Sequence, residues 1–188
     1  LLVAFRALHP AVRVRLLLDV VVVELVAARA DLALRVGPSR GRTAKVRRLG
    51  ELEAGFFAAP HYLARRGAPR TRADLAAHDG LWPAAPRARA SFAPRGAPPP
   101  PAVDTDDFGA LLELARAGGG VAVLPLFLAA RDVALGQLVR VVSDVSLPGA
   151  PLYLVTRPER PLPPRVAVLS AFLAEHVPSA LGSRPRAG

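Results

Sequence analysis

The stretch Val103–Pro125, VDTDDFGALLELARAGGGVAVLP, constrains the fold more than any other part of the chain. It reads as strand, capped helix, glycine break and strand. Ala102 and Val103 close a short extended piece. Thr105, Asp106 and Asp107 offer side-chain oxygens to the unpaired amide N–H groups that open a helix. Phe108, Leu111, Leu112 and Ala115 recur at helical spacing and predict one buried face. Gly118 to Gly120 end that helix, because glycine accepts the left-handed conformation that many helix C-termini need. Val121 to Leu124 is an apolar run of buried-strand length, and Pro125 suits the start of a further helix. Parallel strands require such a crossover, and polar groups beside a helix N-terminus make a natural ligand-binding edge.

The rest of the chain repeats the alternation of strands and helices. Leu1 to Leu8 has helical spacing and is stopped by Pro10. Val12, Val14 and Leu16 alternate with Arg13 and Arg15, the pattern of a strand with one solvated face. Asp19 to Ala30 fits two descriptions: four consecutive valines favour a strand, whereas Val22, Leu25, Val26 and Arg29 fit a helix beginning at Asp19. Leu32 to Val36 is a strand ending in a Gly37-Pro38-Ser39 turn, and Glu53 to Ala58 is another, closed by Pro60. A short helix over Pro60 to Arg66 stops at Gly67, and Thr71 with Asp74 forms a capping box for a helix containing Leu75 and His78. Arg87 to Pro101 is a proline- and arginine-rich loop. Leu126 to Ala134 is helical, Leu138 to Val142 and Leu152 to Thr156 are strands, and Pro158 to Pro164 is a stiff connector. Val166, Leu169, Phe172 and Leu173 mark a closing helix, with a disordered tail expected after Pro178. The alternation is that of an α/β fold.

Composition removes several classes of function. The 188 residues include no cysteine, which excludes thiol catalysis, disulfides and cysteine-ligated zinc. The longest apolar run, Leu16 to Val26, is interrupted by Asp19 and Glu24 and is too short for a membrane span. No secretory signal is visible, and a cytoplasmic protein is expected. The net charge of +10 comes almost wholly from arginine, Lys45 being the one lysine. Scattered arginines in an Ala-, Pro- and Gly-rich chain fit a solvated surface and a GC-rich gene better than a dedicated nucleic-acid interface. His9, His61, His78 and His176 have no metal-ligand spacing. There is no G-x-S-x-G elbow and no general acid–base pair, so neither an enzyme nor a cofactor is expected.

The order of motifs resembles the effector-binding domain of LysR-type transcriptional regulators. The resemblance rests on HPAVRVRL, ELVAARADLALRVG, LGELEAGFFAAPHYLARRGAPRTRADLAAHDGL, DTDDFGALLELARAGGGVAVLP, GQLVRV and PLYLVTRPERPLPPRVAVLSAFLAEHV, in family order over nearly the whole length. It implies a type 2 periplasmic-binding-protein-like fold: two α/β lobes joined by two crossover segments. Lobe I would comprise residues 1–58 and 150–178, lobe II residues 59–149, and residues 179–188 the tail. A small-molecule effector would bind in the interlobe cleft. The positions carried over by motif are Leu18 and Asp19, the loop Val36, Gly37 and Pro38, and the helix start Asp104, Thr105 and Asp106. The resemblance further implies a homodimer or tetramer in the intact protein. Promoter DNA would be contacted through a winged helix-turn-helix that this chain does not contain. The first strand of the effector domain is also missing from the pattern, so the chain alone is expected to be marginally stable.

Each candidate residue has a simpler reading beside the functional one. Helix capping accounts for much of the acidic start at Asp104 to Asp107 without a ligand. Gly118 to Gly120 lacks the lysine and serine or threonine of a phosphate loop and lies at a helix end. Arg35, next to the Val36–Gly37 turn, could pair with a carboxylate, although strand alternation favours its facing solvent. Two classes of function remain: the sensory half of a transcriptional regulator, in which effector binding shifts an equilibrium between arrangements of the lobes, and a stand-alone solute-binding protein of the same fold. Direct nucleic-acid binding by the basic surface is a third option, and it predicts salt-sensitive binding.

Overall fold

The computed structural model describes residues 1–18, 30–37, 45–84, 100–144, 147, 149–158 and 161–181. In chain order these form α1 (Leu2–Leu8), β1 (Leu32–Val36), β2 (Lys45–Leu52), β3 (Ala54–Ala58), α2 (Pro60–Arg66), a 3-10 turn (Ala73–Ala77), β4 (Gly80–Pro83), β5 (Val103–Thr105), α3 (Phe108–Arg116), β6 (Val121–Pro125), α4 (Leu126–Ala134), β7 (Val139–Val141), β8 (Ala150–Thr156) and α5 (Pro164–Ala180). The chain divides into two compact units, Leu1–Leu52 with Ala150–Gly188, and Glu53–Gly149.

The first unit is built on a three-stranded sheet of order β1–β8–β2, with both outer strands antiparallel to β8. Leu154 of β8 lies in register with Leu34 on one side and Arg47 on the other, and a bulge between Arg48 and Gly50 shifts the second ladder. Leu49, Leu152 and Leu154 pack against Leu173, Ala174 and Val177 of α5. α1 is anchored by Phe5, whose buried ring meets Phe172 of α5 edge-on at 5.3 Å. α5 opens with Pro164, which needs no N–H partner in the first turn. It continues through Pro178 to Ala180; a proline this close to the C-terminus removes one hydrogen bond without ending the helix. Residues 182–188, the rest of the expected tail, lie outside the described residues.

The second unit has a five-stranded sheet of order β5–β4–β6–β3–β7. β4 runs parallel to β5 and β6, while β3 is antiparallel to β6 and β7. The predicted β–α–β crossover is therefore present as β5–α3–β6, stepping over β4. Every residue of β4 and β6 is buried, as expected of strands covered on both faces. Leu111 and Ala115 of α3 join this core, as do Phe56, Tyr62, Leu75 and Leu81. Trp82 meets Phe56 edge-on at 6.4 Å. Its indole occupies the space that a Cβ at Gly80 would need.

Several expectations change. The strand expected over Glu53 to Ala58 forms, but β3 pairs in the second sheet, so the boundary drawn after residue 58 falls at Leu52. β2 and β4 were not expected: β2 is mostly exposed and charged, and β4 is too short to show a period. Residues 12–18 form no strand, although Val12 and Val14 are half-buried beside exposed arginines; alternation specifies a face, not a hydrogen-bonding partner. Phe108 is exposed instead of joining the buried face of α3. The ambiguous run Asp19 to Ala30 lies outside the described residues except for Ala30, as does Arg87 to Pro101 except for its last two prolines.

Candidate functional site

In the second unit the candidate residues gather at the end of β5. Asp104 lies in register with Trp82, and Thr105 with Pro83. The Thr105 carbonyl accepts the Ala84 N–H at 3.1 Å, and its Oγ1 accepts the Asp107 N–H at 3.1 Å. Asp107 then caps α3, its Oδ1 accepting the N–H groups of Gly109 at 2.7 Å and Ala110 at 3.4 Å. The capping task predicted for three residues thus falls mainly on Asp107, and Asp106 stands exposed beside it. This edge lies at the carboxyl end of the parallel strands β4, β5 and β6, where open α/β sheets commonly bind ligands. Its exposed carboxylates suit hydrogen-bond donors or a cation, and the N-terminus of α3 adds a positive dipole.

In the first unit, Val36 and Gly37 form the end of β1. Gly37 has φ +85° and its N–H donates to the Pro151 carbonyl at 2.9 Å. A Cβ there would meet nothing within 4 Å, so the backbone conformation, not crowding, calls for glycine. Val36 is 57% exposed. Half-buried Arg35 lies opposite Tyr153 and is not without partners. Leu18 is 88% exposed and belongs to no regular element. Asp19 and Pro38 lie outside the described residues. The structure thus joins Val36 with Gly37, and Asp104 with Thr105 and Asp106, and gives Leu18 no such place.

Two polar clusters in the second unit were not foreseen. The Tyr62 hydroxyl lies 3.2 Å from His78 Nδ1, donates towards Asp79 Oδ2 at 3.2 Å and accepts the Asp79 N–H at 3.0 Å. Partial burial, then the nearby Arg66 guanidinium, push the His78 pKa below its ordinary value, against the opposing pull of Asp79 and Asp74. Next to it, Asp74 accepts the N–H groups of Thr71 and Arg70, both at 2.9 Å, and these bonds hold its carboxyl below the usual range. The return bond from Asp74 N–H to Thr71 Oγ1 completes the predicted capping box, on a 3-10 turn instead of an α-helix.

The second cluster joins α3 to α4. Arg116 pairs with exposed Glu113 at 2.8 Å and with buried Asp132 at 3.2 Å. Pro60, His61, Glu113, Arg116 and Gln137 line a shallow groove there. Asp132 sits in an apolar helix and reads as a solvent-facing residue until α3 is placed beside it. With its guanidinium shared by two carboxylates, Arg116 offers the groove little free positive charge. The His176 ring stacks on Phe172 at 4.1 Å, with Nδ1 2.9 Å from the Phe172 carbonyl. Among the described residues no His, Cys, Asp and Glu cluster could hold a metal ion, and no helix is long and apolar enough to cross a membrane.

Two α/β units, each with helices packed on a sheet, have the architecture of a periplasmic-binding-protein-like fold. The family model described as the LysR substrate binding domain matches residues 1–178, and the chain belongs to that family. It is 32% identical over 187 residues to the HTH-type transcriptional regulator PtxR of Pseudomonas aeruginosa, with 93% of this chain and 58% of that protein covered. It is 29% identical over 176 residues to an uncharacterized HTH-type transcriptional regulator of Haemophilus influenzae, covering 88% and 60%. Among solved structures it is similar to the regulatory domain of CrgA, a LysR-type transcriptional regulator from Neisseria meningitidis, with a TM-score of 0.83, 25% identity and coverage of 93% and 89%. The chain therefore spans about 60% of the length of these curated relatives and nearly all of a regulatory domain.

Proposed function

We propose that this chain senses a small-molecule effector on behalf of a LysR-type transcriptional regulator, which acts in the cytoplasm as a dimer or tetramer and carries its DNA-binding helix-turn-helix on a separate domain. The observation that carries this reading is the family match over residues 1–178, joined to relatives that are themselves HTH-type regulators. Those relatives are named as transcriptional regulators, which supports a binding role.

Val36 and Gly37 on the first unit and Asp104, Thr105 and Asp106 on the second are proposed as effector contacts, together with Leu18, Asp19 and Pro38. Exposed apolar surface at Val36 suits a hydrophobic portion of the effector, and the acidic edge suits a hydroxyl or amine. A thermal-shift panel of aromatic carboxylates, amino acids and amines tests this. A compound present at a hundred times its Kd stabilises the chain by about 2.7 kcal/mol, or roughly 5–10 °C. An Asp106→Ala variant is expected to lose most of that shift while keeping its unliganded Tm. Equal shifts in both proteins would remove the acidic edge from the site.

A further inference from the structure

We infer that the outer edge of β2 is a contact surface for the phosphate backbone of duplex DNA. This rests on the reading of the chain as part of a DNA-binding regulator but concerns a surface distinct from the proposed effector contacts. β2 lies at one end of the β1–β8–β2 order. It carries Lys45, Arg47 and Arg48, all exposed. Lys45 lies in register with Thr156 and Arg47 with Leu154, while Arg48 lies opposite Tyr153 on the other face. Cations therefore leave the strand from both faces, and long side chains on an edge strand reach past it into solvent.

Their charges are little compensated. Arg48 pairs with Glu51 at 3.3 Å, a contact half-exposed at both ends and so weak in water. Among the described residues Lys45 and Arg47 form no ion pair. From Lys45 to Arg48 the strand runs about 10 Å, a span that faces on the order of six phosphates of a duplex. Along its outer edge, β2 has no second strand partner among the described residues, and backbone N–H groups are regular donors to phosphate oxygens. Duplex DNA is favoured over other polyanions because a helix-turn-helix elsewhere in the same protein would hold it near this domain at high effective concentration.

The test uses the 188-residue chain and a labelled duplex of about 20 base pairs, with binding followed by anisotropy between about 50 and 200 mM salt. Each phosphate contact contributes about −0.9 to the slope of log K against log salt. The Lys45→Gln/Arg47→Gln/Arg48→Gln variant is expected to reduce the steepness of that slope by about 2 to 3 and to weaken binding about a hundredfold near ~0.1 M salt. Arg47→Lys/Arg48→Lys should keep the slope. A charge-matched control, Arg131→Gln/Arg140→Gln/Arg165→Gln, should leave the slope near that of the parent. Equal losses in both triple variants would mean that net charge, not this edge, binds DNA, and would overturn the inference. So would absence of duplex binding by the parent at about 50 mM salt, or tighter binding of a single-stranded RNA of the same length. Effector-induced thermal shifts should be unchanged in the β2 variant; their absence in every protein would count against the effector reading and leave the DNA result standing.

Discussion

The two units solve the same packing problem with different margins. In the second, β4, β6 and β3 are interior strands, and their side chains belong to one continuous core that includes Trp82, Phe56, Tyr62, Leu111 and Leu124. Among the described residues of the first, β8 is the strand paired on both sides, and the core is a smaller set around Leu154 and Leu173. Leu34 and Val36 of β1 share the register of Leu154 and Leu152, yet are 46% and 57% exposed. Stability scales with apolar area removed from water, so the second unit should hold its structure more firmly and the first should open locally at lower free energy. An edge that yields readily is also where ligand contacts can exert leverage on an equilibrium.

The largest expected effect lies in the second core. Leu124→Ala empties a fully buried position of β6 and should cost about 2–5 kcal/mol, whereas Leu34→Ala on β1 should cost under about 1 kcal/mol; chemical denaturation of the two variants compares them directly. A larger loss at Leu34 would reverse the ranking of the two units. Next comes Asp132→Ala, which deprives Arg116 of its buried partner but leaves it Glu113 and partial solvent. About 1–3 kcal/mol is expected from thermal unfolding. Asp107→Ala should cost about 1 kcal/mol through loss of the α3 cap, while Asp106→Ala should stay within about 0.5 kcal/mol. Equal effects would mean that both carboxylates serve the helix and neither is spared for a ligand.

The smallest effect is a pH dependence. Because the folded-state pKa of His78 lies below its ordinary value of 6.5, the unfolded chain takes up the proton first as the pH falls. Stability should decline through the range just below about 6.5, and the decline should stop once the folded protein is also protonated. The Asp74 contribution has the usual carboxylate sign, present above the unfolded pKa and lost as the pH falls through the depressed folded value. A His78→Gln variant followed by denaturant titration at a series of pH values should show a flatter profile near 6; an unchanged profile would place that titration elsewhere.

How much was legible in advance differs between the units for physical reasons. The β5–α3–β6 crossover was readable because each boundary has a local cause: the Asp107 cap, Gly118 with φ +77° beside the His61 ring, and the short apolar run of β6. β2 was not readable. An edge strand with one fully buried side chain, Leu49, has almost no hydrophobic pattern, and its bulge breaks what period remains. β4 failed for the opposite reason, being wholly buried and too short for any period to show. Residues 12–16 show the converse error, a strand-like alternation without a ladder. At the candidate site the acidic helix start and the Gly37 turn were readable as local chemistry. The division of labour among the acids was not, because the Asp107 cap and the Thr105 hydroxyl bond emerge from backbone geometry. The Arg116–Asp132 pair joins elements that only the fold brings together.

The proposal that the acidic end of β5 contacts an effector is tested most directly by amide NMR shifts of the chain titrated with the most stabilising compound of the thermal-shift panel. The amides of Thr105, Asp106 and Asp107 are expected to move together along a single saturation curve. Saturable shifts confined to other residues, such as those lining the Arg116 groove, would contradict it.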